Sequence, residues 1–170
     1  QEQIKNLVFV ADSKLRSLPF AALHNGERFL VEQYSVGFMP SMSLTDTRYV
    51  DIRNVQVLAM GAERFEQQSA LPFVPIELTA VVRDLWNGAF FSNASFTFEK
   101  LAAQREQRQF GVVHLATHAD FDSEDASRSY IQLWNEQLTF ERLRSLNLNR
   151  PPVELMVLSA CQTALGNELT

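Results

Sequence analysis

The sequence predicts an α/β fold with a mainly parallel central sheet flanked by helices, preceded by a small antiparallel β unit. Three observations carry that expectation. Short continuous apolar runs, "NVQVLAM" and "FGVVHLA", have the length and β-branched content of strands buried on both faces. Between such runs stand segments whose apolar residues recur at helical spacing, and this alternation is the pattern of a parallel sheet with crossover helices. Residues 1–50 follow a different grammar, in which partly alternating runs are broken by turn formers.

In chain order, "IKNLVFVAD" reads as a strand and "ADSK" as a turn, after which "LRSLPFAAL" resumes an apolar pattern, so a hairpin is expected there. Asn25 and Gly26 form the dipeptide best suited to a second tight turn, with His24 on it and "RFLVEQYSVGFM" after it. "PSMSLTDTRY" then breaks the pattern. Val55 to Met60 is a buried strand stopped by Gly61. Pro75 suits the first turn of a helix whose Leu78, Val81, Val82 and Leu85 share a face, and Asn87-Gly88 ends it. "AFFSNASFTF" reads as an edge strand, "EKLAAQREQ" as a helix, "FGVVHLAT" as a buried strand reaching His118, and "YIQLW" as a further short strand. A helix follows from about Thr139 to Leu146, and Val153 to Leu158 is the last strand.

Composition limits the function classes. The 170 residues are 46% hydrophobic and 21% charged, the range of an ordinary globular domain. A net charge of −5 with scattered arginines leaves no basic face, which argues against nucleic acid and against anionic membranes as partners. No apolar run reaches the roughly 20 residues of a membrane helix, and "QEQIKNLVFVADS" lacks the features of a signal peptide. The one cysteine, Cys161, has no internal disulfide partner. A cytoplasmic location is the expectation. Nothing calls for a cofactor.

Two predicted strands end at residues with acid-base or nucleophilic chemistry. "GVVHLAT" delivers His118 and "VELMVL" delivers Cys161. The carboxyl ends of parallel strands share one edge, where ligand sites form. Neighbouring strands would therefore bring the two together across a sequence separation of 43 residues. A thiol nucleophile needs such an imidazole, because the thiolate is the attacking species. "CQTALG" reads as the opening of a helix, whose amides favour a thiolate and can hold an oxyanion. Taken alone, a cysteine at a strand end is more often a small buried residue. His114 and His118 spell H-x-x-x-H, which on a helix would address a metal. On a strand they stand about 13 Å apart, so no metal site is expected, and His114 reads as a hydrogen-bonded core residue. Asp120, Asp122, Glu124 and Asp125 form either a solvated loop or an acidic rim that attracts basic peptides.

The words and their order resemble a known family, the CHAT domain, a caspase-like and separase-related module often attached to tetratricopeptide repeats. The resemblance runs through "LVFVADSKLRSLPFAAL", "FLVEQYSVGFMPS", "VLAMGAERF", "VVHLATHADFD", "SYIQL", "LTFERLRSLNL" and "LMVLSACQTALG". It implies a caspase-like α/β sandwich, with residues 1–50 as an accessory β part and 51–170 as the core, its C-terminal portion missing. It further implies a clan CD cysteine endopeptidase acting on protein or peptide substrates, with His118 as general base and Cys161 as nucleophile. Backbone amides of Ala119 and Cys161 would bind the oxyanion; Ala119 stands where the family commonly has glycine. Attached or partner repeats would regulate it. The acid that often precedes the cysteine in relatives specific for basic residues is absent here, where Ser159 and Ala160 stand. Asp12, Asp120 and Ser159 are candidate substrate contacts. The rival reading is a non-cleaving interaction or regulatory domain on the same fold.

Overall fold

The computed structural model describes residues 4–43, 48–122 and 125–160. The chain divides into two compact units, Gln1–Tyr49 and Val50–Thr170.

In the first unit, β1 (Asn6–Phe9) and β2 (Ser35–Phe38) pair in parallel, with Asn6 opposite Ser35 and Phe9 opposite Phe38. This corrects the expected antiparallel unit. Pro19 cannot donate to a ladder and interrupts "LRSLPFAAL", so that segment forms no return strand. Instead two 3-10 turns, Ser13–Ser17 and Phe20–Ala22, and a short helix α1 (Leu30–Gln33) carry the chain across, as a parallel pair requires. The Asn25-Gly26 turn does form, with Gly26 at φ 103°, but it closes only one isolated antiparallel bridge, His24 to Phe29. Phe9, Phe20 and Phe38 pack together, the first two stacked with centroids 4.3 Å apart.

The second unit is built on four parallel strands in the spatial order β4-β3-β5-β9: β3 (Val57–Gly61), β4 (Gly88–Ser92), β5 (Val112–Ala116) and β9 (Leu155–Ser159). A separate antiparallel sheet comprises β6 (Ala119–Asp120), β7 (Tyr130–Gln132) and β8 (Gln137–Thr139). Helix α2 (Val74–Ala80) runs into a π-helical turn, Val81–Leu85; α3 is Phe98–Gln107 and α4 is Phe140–Ser145. The fold is thus α/β, with a mainly parallel central sheet flanked by helices.

Period-2 alternation along the central strands makes two apolar layers. Val57, Ala59, Val112 and Ala116 pack with Val74, Leu78 and Val81 of the helix that leads to β4. Leu58, Met60, Val113 and Leu115 pack on the other face with Phe96, Leu101, Phe110 and Ile131. Every residue of β3 and β5 is buried, which is why both sequences are apolar except at His114, whose Nε2 lies 2.8 Å from the Glu77 carboxylate. One expected core residue is not in the core: Leu85 is 62% exposed. Trp86 N–H bonds the Val81 carbonyl five residues back at 3.0 Å, and the wider π turn rotates Leu85 off the buried stripe.

Candidate active site at the carboxyl edge of the sheet

β5 and β9 are neighbours, paired in parallel from Val112–Leu155 to Ala116–Ser159. Past the last pair the chains stay joined, because Thr117 N–H donates to the Ser159 carbonyl at 3.0 Å. Thr117 is 1% exposed and its hydroxyl donates to the Gln132 carbonyl at 2.5 Å, tying the end of β5 to β7. His118 is the next residue, half-buried at the carboxyl edge.

Its imidazole is held from two sides. Nε2 lies 2.8 Å from the Ser69 carbonyl, and Phe65 meets the ring edge-on with centroids 4.8 Å apart. A carbonyl only accepts, so Nε2 carries the proton and Nδ1 of the neutral ring keeps its lone pair. The loop from β3 to α2 that supplies Ser69 and Phe65 is itself anchored. Leu71 N–H donates to the Glu63 carbonyl at 2.8 Å, and Glu63 N–H to the Asn93 side chain at 2.9 Å.

Ala119 opens β6. Gln132 N–H donates to the His118 carbonyl at 2.9 Å, so His118 and Gln132 form a hydrogen-bonded pair, and Ala119, opposite Ile131, falls in the next, non-bonded pair. By that alternation the Ala119 N–H points away from β7. Its φ is negative, so the Cβ is accommodated without left-handed strain. Asp120 follows, exposed and paired with Tyr130. Ser159 ends β9 and lines a cleft of about 340 Å³ with Leu71, Phe73, Val74, Glu77 and Thr117. Cys161 lies outside the described residues, as does Glu124.

Asp12 belongs to the first unit, where its carbonyl accepts from Leu15 N–H at 3.1 Å and its carboxylate lies 3.9 Å from Arg16. The acidic loop after Asp120 carries its own cation. Arg128 Nε is 2.8 Å from Asp122 and 3.7 Å from Asp125. Hydrogen bonds from the Ser127 side chain and backbone hold the Asp125 carboxyl below its ordinary pKa. His114 is 6% exposed, with Nε2 2.8 Å from Glu77 Oε1, while His118 bonds a different partner, so the two imidazoles serve separate neighbours. Among the described residues no three His, Cys, Asp or Glu side chains cluster as metal ligands, and no helix is long and apolar enough to cross a membrane.

Two contributors escape a reading by residue type. Ser69 acts through its main-chain carbonyl, which any residue would supply. Glu77, in the first turn of α2, reads in sequence as an ordinary helix-start acid.

A parallel α/β sheet with an oriented histidine at its carboxyl edge is compatible with a caspase-like architecture. The chain belongs to the CHAT domain family, whose profile matches residues 1–170. That places it in a clan related to cysteine peptidases. A search of curated proteins finds no match.

Proposed function

We propose that this domain is a cysteine endopeptidase in which Cys161 attacks the scissile carbonyl and His118 manages the proton. The observation that carries the reading is the β5–β9 register. Ala116 pairs with Ser159, an offset of 43 residues, and the sequence separation of His118 and Cys161 is the same 43. Each stands two positions beyond that last pair. The oriented imidazole supports a base role, since Nδ1 of the neutral ring is the atom left to take a thiol proton. The outward Ala119 N–H supports a part in binding the oxyanion, together with the Cys161 amide. Protein or peptide substrates, residues 1–50 as an accessory part of the domain, and control by attached or partner repeats belong to the same reading.

The test is cleavage of a peptide library by the full-length protein and by its Cys161→Ala variant. Wild type is expected to cleave and the variant to lose cleavage by at least about a thousandfold. Cleavage that persists in the variant removes Cys161 as nucleophile. A wild-type protein that cleaves nothing but captures partners equally well with and without the thiol supports the non-cleaving interaction domain.

A further inference from the structure

We infer that the cleft formed by Leu71, Phe73, Val74, Glu77, Thr117 and Ser159 receives the basic side chain, arginine or lysine, of a peptide substrate, with Glu77 as the residue that selects it. The inference rests on the peptidase reading and names the substrate class of that same site.

Position is the first argument. Thr117 and Ser159 are the residues joined across the ends of β5 and β9, and His118 follows one of them directly. Ser159 and Ala160, which also lines the cleft, immediately precede Cys161 in the chain. The cleft therefore opens at the edge where the acyl group of a bound peptide would be attacked. A side chain on the residue carrying that carbonyl is the one within its reach.

Chemistry is the second argument. At about 340 Å³ the cleft accommodates a long side chain. Leu71 and Val74 offer apolar walls for a methylene stem, and Phe73, 75% exposed, offers a ring face to a guanidinium. Among the described residues, Glu77 is the single charged residue of the lining. Its carboxylate is held in place, because Oε1 is 2.8 Å from Nε2 of His114, which is itself buried in β5. The side chain keeps 34% of its surface, and the contact with His114 uses Oε1. A carboxylate oriented before binding loses little freedom when a cation arrives. It also repels an acidic side chain, so an aspartate at the same position is disfavoured.

Two measurements on the full-length protein test this. In the first, methyl NMR follows titration with N-acetyl-arginine methylamide and with its neutral isostere, N-acetyl-citrulline methylamide. The arginine probe is expected to shift Leu71 and Val74 methyls and to bind about tenfold more tightly than the citrulline probe. In Glu77→Gln, which retains an acceptor for His114, that difference is expected to collapse while the citrulline affinity and the remaining spectrum stay as in wild type. A misfolded variant would lose both probes. Equal binding of the two probes by wild type, or an arginine preference that survives Glu77→Gln, overturns the inference.

The second measurement compares peptides differing only in the residue before the scissile bond. Arginine is expected to exceed norleucine about tenfold in kcat/KM, with Glu77→Gln lowering the arginine value alone. Arginine binding that depends on Glu77 without any Cys161-dependent cleavage would sink the peptidase reading and leave the cleft's selectivity standing. Cys161-dependent cleavage indifferent to Glu77 would do the reverse.

Discussion

His118 has one ring nitrogen committed and one free. The Ser69 carbonyl takes Nε2–H, Phe65 braces the ring plane, and Nδ1 is left as the basic atom. A ring fixed in one tautomer does not have to reorganise before it accepts a proton, which is the advantage of an oriented base over a mobile one. Once protonated, it would stabilise a neighbouring thiolate, so the reading of Cys161 as its partner has a consequence for pH. A thiolate–imidazolium pair lowers the thiol pKa below the roughly 8.5 of a free cysteine. The rate of alkylation by iodoacetamide follows the thiolate fraction, so its midpoint in wild type is expected below that value. In His118→Ala it should move back up toward 8.5. A midpoint that is the same in both proteins would show that His118 does not act on the thiol. Arg105 makes a contrasting case at this scale. It is 5% exposed on α3, and NH2 donates to the carbonyls of Asn147 and Pro151 at 3.1 and 3.0 Å. Burial lowers its pKa from the ordinary value. Residue type alone would put this arginine in solvent; the turn that presents two carbonyls to it is invisible to local pattern.

The elements that carry the site are those whose sequences are least ambiguous. β3, β5 and β9 read as strands because each is a short, largely apolar run, buried throughout in β3 and β5 and half-buried in β9, and α2 reads as a helix because Pro75 starts it and Asn87-Gly88 ends it. Ordering those strands side by side also puts His118 at the correct edge. What local pattern does not give is anything set by longer-range partners. The sheet β6-β7-β8 consists of pieces two or three residues long, too short to carry a period, and its place is fixed by bonds such as that from Thr117 to Gln132. Parallel pairing in the first unit depends on Pro19 outweighing the apolar run around it. Gly61 ties the legible part to the site. It ends β3 opposite Ala116, and a Cβ there would run into the Ala116 carbonyl and the Val74 side chain. Gly61→Ala must therefore push β5 or α2 aside, at an expected cost of about 1–3 kcal/mol in urea unfolding. Because β5 leads directly into His118, kcat/KM of any Cys161-dependent cleavage should fall with it. Unchanged stability would mean that the two strands approach less closely than this spacing requires.

At the scale of the whole molecule, the two units differ in kind. The second places apolar layers on both faces of a four-stranded sheet, and Leu58, Met60, Leu78, Phe96 and Phe110 are fully enclosed there. In the first, no described residue is buried: Val8, Leu23, Phe29, Val31 and Phe38 are all more than 40% exposed, and its paired strands are four residues long. Apolar burial is the main term opposing chain entropy, so local stability should follow this contrast. A reacting edge needs side chains held to within a fraction of an ångström, and only the second unit has the enclosed core to hold them. Amide hydrogen exchange reads the difference directly. Amides of β3 and β5, hydrogen-bonded on both sides, should exchange only through global opening. Those of β1 and β2 should open locally and exchange on the order of a hundredfold faster or more. Equal protection in the two sets would mean that the units unfold as one, with β1 and β2 drawing stability from contacts beyond their own pairing.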